Sequence, residues 1–235
     1  MAEQALLVDL DGTLYRGDGA VLAYADHVAA TLPPADADRF RAALTDHLTG
    51  AAAIVTATDG WEAVQALARR LDVGQPVLDR AFLVSRQALT DPVCPIETPP
   101  DLVPALRRLR PTTRLVLATN SPADWLTALL ARLAAADVFD QVITGARKPA
   151  GMPDILAGLA ASVGATDRPW RVFSVGDHWR NDIEPARAFG ATTGYIDRFG
   201  RNDGPADVVA PDLEGVLPTI LRWAEAPDAF ADPDE

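Results

Sequence analysis

"ALLVDLDGTLY" runs from Ala5 to Tyr15, and its two halves make different demands. Ala5 to Val8 are apolar without alternation, the pattern of a strand covered on both faces of a sheet. Asp9 and Asp11 follow at once, ahead of Gly12 and Thr13. Two apart along an extending chain, the carboxylates face the same side. A buried strand that ends this way fits a parallel sheet, where ligands bind beyond the carboxyl ends of the strands.

Four similar runs lie further along: "RLVLAT" (Arg114 to Thr119), "FDQVIT" (Phe139 to Thr144), "WRVFSV" (Trp170 to Val175) and "ATTGYI" (Ala191 to Ile196). Between them, Trp125, Leu129, Leu130 and Leu133, then Ile155, Leu156, Leu159 and Val163, are spaced for single helix faces. Strands alternating with helices predict an α/β fold with a doubly wound, Rossmann-like parallel sheet.

Residues 20 to 90 break that rhythm. Val21, Tyr24, Val28 and Leu32, then Phe40, Leu44 and Leu48, then Trp61, Val64, Leu67 and Leu71, then Leu78, Phe82 and Leu89 mark about four successive helices. Asp59 and Glu62 stand in capping-box spacing at the start of the third. The pattern predicts a discontinuous α/β core (1–15 and 97–225) and a smaller all-helical domain (16–96). A stiff Pro-rich return, "TDPVCPIETPPDL", closes the insert. The acidic residues 226–235 read as a disordered tail.

The chain has 235 residues, 49% of them hydrophobic, and a formal net charge of −12. Such a charge argues against nucleic acid as a partner, since phosphate backbones are held by clustered Lys and Arg. No apolar stretch is long enough to span a membrane. The single Cys94 and a start without a basic leader lead to the expectation of a cytoplasmic protein. The oligomeric state is left open.

Residues just after the strands converge in such a sheet: Asp9, Asp11, Gly12 and Thr13, then Thr119 and Asn120, then Lys148, the only lysine, then Gly176, Asp177, Asn181 and Asp182. Packed carboxylates repel unless a cation lies among them. A hard divalent ion such as Mg²⁺ suits oxygen donors, and no His or Cys cluster suggests zinc. In "TNSPAD", Ser121, Pro122 and Asp124 predict a helix start beside Thr119, whose free N–H groups would favour a phosphate together with Lys148. Taken singly, each residue has a plainer reading. Asp11 and Asn120 could be turn residues, Thr119 a strand residue, Lys148 a solvated lysine and Asp182 a helix N-cap before "IEPARAFG". His47 fits a packed structural histidine, and His178 is as readily a loop residue as a site residue. Tyr15 and Arg16 are candidates for an entrance, and Arg86 for reaching substrate from the helical insert.

"DLDGT" (Asp9 to Thr13), "LATN" (Leu117 to Asn120), Lys148 before Pro149, and "GDHWRND" (Gly176 to Asp182) together resemble the four motifs of the haloacid dehalogenase superfamily. The resemblance implies a nucleophile at Asp9 and a general acid and base at Asp11. It implies phosphate binding by Gly12, Thr119, Asn120 and Lys148, and a Mg²⁺ site from Asp9, Asp11 through its carbonyl and Asp177, with Asp182 either a further ligand or an acidic support behind the ligands. The 110 residues from Asp9 to Thr119 hold the insert, against 29 from Thr119 to Lys148. That matches the branch with a helical cap between the first and second motifs, whose members act on small phosphorylated metabolites. The true dehalogenases replace the residue equivalent to Asp11, and phosphonate hydrolases use a cap lysine, which this chain lacks. The resemblance therefore implies a phosphatase, with a phosphomutase as the alternative within the family. A phospho-accepting signalling module is the rival from another class, although receivers are about half this length.

Overall fold

The first strand, β1 (Gln4–Val8), is buried along its whole length, as its unbroken apolar run requires. In this computed structural model, which describes residues 2–54 and 56–231, β1 is flanked on both sides. It pairs in parallel with β2 (Thr113–Ala118) and β4 (Val172–Gly176). β3 (Gln141–Ile143), β5 (Thr192–Ile196) and β6 (Val208–Ala210) complete a parallel sheet of order β3-β2-β1-β4-β5-β6. The order reverses between β1 and β4, so the loops leaving those two strands part and open a crevice at the carboxyl edge of the sheet.

Two differences from the expected strands have a physical cause. The run Phe139 to Thr144 contracts to the three residues of β3, which lie at an edge and are largely exposed. β6, also three residues at an edge, is too short to show a period in sequence. Trp170 leaves the fourth strand for a 3₁₀ turn, Pro169–Arg171.

Both faces of the sheet are covered. Helix α7 (Met152–Ser162) lays Met152, Leu156, Leu159 and Ala160 against Ala5, Leu7, Val116, Ala118 and Val172. On the other face, α9 (Leu213–Glu225) buries Trp223 completely, its ring 5.3 Å from that of Phe173 and its Nε1 donating to the Trp170 carbonyl at 2.8 Å. α5 (Leu102–Leu109) adds Leu102, Ala105 and Leu106 to the buried surface.

This α/β unit comprises residues up to Arg16 and from Thr98 onward, and residues 17–97 form a second unit. Its helices are α1 (Gly19–Ala29), α2 (Pro34–Leu48), α3 (Gly60–Arg70) and α4 (Gln75–Ala88). Tyr24, Val28, Phe40, Leu44, Val64 and Leu78 meet in one core. The Asp59 carboxylate accepts from Glu62 N at 2.7 Å, whereas Glu62 reaches back past Asp59 to Thr58 N and Thr58 Oγ1. His47 is buried and its Nδ1 accepts from Ile54 N at 3.1 Å. The candidate Arg86 lies within the helical unit's aromatic cluster. It is 3% exposed, with its guanidinium stacked 3.9 Å from the Trp61 ring centroid and 4.8 Å from that of Phe82.

No helix among the described residues is long and apolar enough to cross a membrane. The expected disordered tail is in part ordered: Pro227–Phe230 form a 3₁₀ turn. Asp228 accepts from Arg171 Nε at 2.9 Å, Arg171 Nη2 at 2.5 Å and Trp170 Nε1 at 3.1 Å. Residues 232–235 lie outside the described residues. The fork from Arg171, with the Trp170 bond, holds the Asp228 carboxyl down at about 2 from its ordinary 3.8. A lowered carboxyl stabilises the folded chain above its ordinary pKa and ceases to do so as pH falls through the folded value. Because the carboxylate is largely exposed, Asp228→Ala should cost up to about 1 kcal/mol near neutrality. The difference from the parent should vanish between pH 3.8 and about 2. Urea melts across that range measure it.

Candidate active site

The β1 strand delivers Asp9 to the crevice with its backbone fixed, since Asp9 N donates to the Val175 carbonyl at 3.0 Å and continues the ladder to β4. Both carboxylate oxygens are engaged. Lys148 Nζ donates to one at 2.6 Å and Thr13 Oγ1 to the other at 3.1 Å. The same ammonium donates to Asp182 Oδ1 at 2.6 Å, and the three side chains are 4–10% exposed. A buried ammonium between two buried carboxylates is a strongly coupled group in which each charge needs the others.

Asp182 comes from a turn that the sequence disguises. Trp179–Ile183 form a π-helical turn and α8 begins only at Glu184 (Glu184–Phe189), with Ile183 at its N-cap. Asp182 thus does not cap α8. Its carboxylate turns inward to Lys148 and accepts from His178 N at 3.3 Å, while Ser174 Oγ donates to its carbonyl at 3.0 Å. Asp177, the neighbour of His178, places a carboxylate oxygen within 4.8 Å of those of Asp9 and Asp182.

The glycines beside these residues are demanded by close approach. Gly12 has φ +76°, and a Cβ there would stand 2.0 Å from Asp177 Oδ2. At Gly176 a Cβ would meet Asp182 Cγ at 2.4 Å.

The second-motif residues do three different things. Thr119 is buried, and its Oγ1 accepts from Ser121 N at 3.1 Å, which leaves the hydroxyl proton to donate. The Asn120 carboxamide turns to the backbone of Lys148, accepting from its N–H at 2.6 Å and donating to its carbonyl at 3.0 Å. Asn120 therefore seats the lysine. Ser121 does not cap a helix. α6 (Leu126–Arg132) starts five residues later, so the helix start expected at Ser121 does not form there. The Ser121 hydroxyl instead donates to Asp11 Oδ2 at 3.3 Å. The phenol of Tyr15 donates to Asp11 Oδ1. Sequence reasoning placed Tyr15 at an entrance and overlooked Ser121 as an Asp11 partner; the spacing of Tyr15 four residues beyond Asp11 was the available signal.

Burial dominates the electrostatics of Asp9 and pushes its carboxyl up to about 7. Lys148 opposes the rise, and Asp182 and Asp11 add to it. Burial alone would lower the Lys148 ammonium, but Asp182 and Asp9 outweigh it and hold the lysine charged, above its ordinary range. Three carboxylates against one ammonium leave excess negative charge, and the donors are all oxygens. That set fits a hard divalent cation.

The family model for haloacid dehalogenase-like hydrolases matches residues 3–190. No curated protein matches the chain. Among solved structures, a HAD phosphatase from Thermococcus onnurineus shares 23% identity at a TM-score of 0.55, over 92% of this chain and 97% of that one. A predicted phosphoglycolate phosphatase from Haemophilus somnus 129pt gives 16% and 0.62, over 92% and 97%. The 2-haloacid dehalogenase from Pseudomonas syringae pv. Tomato DC3000 gives 21% and 0.53, over 95% and 100%. At these identities the structures share the fold, and the family match adds the lineage: with all four motifs gathered at the carboxyl edge of one parallel sheet, the chain belongs to the haloacid dehalogenase-like hydrolases.

Proposed function

We propose that the protein is a Mg²⁺-dependent phosphatase of a small phosphorylated metabolite that works through an aspartyl-phosphate on Asp9. The observation that carries the reading is Asp11. A second carboxylate beside the buried Asp9, held by two hydroxyls and partly open to solvent, is a group that can pass a proton to and from a reacting oxygen. A haloacid dehalogenase has no use for such a group at that position.

In the proposed reaction a carboxylate oxygen of Asp9 attacks phosphorus. A bond from Asp9 to phosphorus forms, the bond to the ester oxygen breaks, and Asp11 gives that oxygen its proton. Asp11 then takes a proton from water as the water oxygen bonds to phosphorus. The Asp9 bond breaks and inorganic phosphate leaves. The Lys148 ammonium and the Thr119 hydroxyl offer donors to the phosphoryl oxygens, and Asn120 acts by seating Lys148. Asp9, Asp177 and Asp182, with the Asp11 carbonyl, would hold Mg²⁺, which when bound supplies positive charge beside the phosphoryl group. The helical unit inserted between Asp9 and Thr119 is proposed as the cap that selects substrate and limits water. The strongly acidic chain favours a small anionic substrate met by a local cation over a polyanion such as nucleic acid.

A panel of phosphomonoesters assayed for released phosphate with and without Mg²⁺ tests the reading, and transfer of phosphate to a second sugar hydroxyl would turn it to the mutase. Asp9→Asn should remove turnover. Asp11→Asn should lower kcat by about 10²- to 10⁴-fold with little change in KM; a change confined to KM would contradict its role. Chelation of divalent ions should abolish activity and added Mg²⁺ restore it. Gly12→Ala, which forces Asp177 aside, should raise the Mg²⁺ concentration for half-activation by about 10- to 100-fold, read from a Mg²⁺ titration. An unshifted titration would remove Asp177 from the metal site.

A further inference from the structure

We infer that Tyr15 is a positioning residue for Asp11: its phenol hydroxyl, together with that of Ser121, holds the carboxylate in the orientation both proton transfers need. The inference rests on the phosphatase reading above and adds to it a residue outside the four motifs' charged set.

An aspartate on a loop has two free side-chain torsions, and proton transfer works only within hydrogen-bond reach of the reacting oxygen. Asp11 is such a residue, only partly buried and just beyond the end of β1. Its backbone is set by a tight turn in which Thr13 N and Leu14 N both donate to the Leu10 carbonyl, and by a bridge to Tyr15. Its side chain is set by two donors of separate origin. The Tyr15 hydroxyl takes Oδ1 from the same loop, and the Ser121 hydroxyl takes Oδ2 from the loop after β2. A carboxylate has about four acceptor positions. Two donors, one on each oxygen, fix the plane of the group.

The Tyr15 ring is 3% exposed, so it is itself immobile and can act as a fixed post. Packing asks only for the ring, which Phe would supply equally. The hydroxyl is what the packing does not need, and it is spent on Asp11.

The test compares wild type with Tyr15→Phe on p-nitrophenyl phosphate and phenyl phosphate in Mg²⁺. The first ester departs as a stable anion and needs little protonation; the second needs more. Because kcat/KM reports phosphoryl transfer to Asp9, Tyr15→Phe should lower it more for phenyl phosphate than for p-nitrophenyl phosphate. It should also lower kcat by about 10- to 100-fold, with KM and the thermal melt near those of wild type. In an Asp11→Asn background the same change should add no further loss. Ser121→Ala, which removes the other donor without touching the core ring, should show the same bias between esters. An active wild type in which Tyr15→Phe lowers kcat/KM equally for both esters, or leaves it unchanged, overturns the inference alone. Additive losses in the Asp11→Asn background overturn it as well. A wild type inert toward both esters overturns the phosphatase reading, and this inference with it.

Discussion

One ammonium organises the α/β unit's working end. Lys148 bridges Asp9 and Asp182 at 2.6 Å each, and none of the three side chains has much access to water. Removing such groups from water costs several kcal/mol per ion unless each is paired and hydrogen-bonded. The three residues come from the end of β1, the loop after β3 and the turn after β4. Satisfying that single charge therefore ties together three loops that the chain keeps far apart, and it still leaves the site negative once Asp177 is counted.

The neighbours of the bridge are chosen to let it close. Asn120 clasps both backbone polar groups of Lys148, so the lysine enters from a fixed point. Gly12 and Gly176 clear the volume that Asp177 and Asp182 occupy, and any Cβ at either position would collide with a carboxylate. The Trp179–Ile183 turn, wound more loosely than an α-helix, aims Asp182 back at the sheet and gives its carboxylate the N–H of His178. A wider turn at a functional site is a recurrent device for redirecting one side chain.

Asp9 and Asp11 stand two residues apart and meet different surroundings. Asp9 is buried against an ammonium and a threonine hydroxyl, whereas Asp11 is half-open and held by a phenol and a serine. Two carboxylates in unlike settings can take unlike parts in one reaction; in the proposed one, Asp9 bonds to phosphorus and Asp11 moves protons. The proposed division of labour rests on their hydrogen-bond partners, which differ in charge and in reach.

Much of this was legible beforehand because it depends on local pattern. The unbroken apolar runs of β1 and β2 specify strands buried on both faces, and the helical periods from Val21 to Leu89 specify the separate helical unit, since burial of one face is all that either pattern needs. The order of Asp9, Thr119, Lys148 and Asp177 along those elements predicts which residues the sheet will assemble. Short edge strands such as β6 escaped because three residues carry no period. The direction of individual side chains escaped for a deeper reason. Ser121 has the look of a helix cap and Asp182 of another, and in isolation each would be one. What sends them to Asp11 and Lys148 is the price of leaving a buried charge or carboxylate unsatisfied, and that is set by groups more than thirty residues away. Sequence alone determined the elements and the roster of charged residues; the tertiary structure decided their partners, because a hydrogen bond across the crevice exists only once the sheet has brought its strands together.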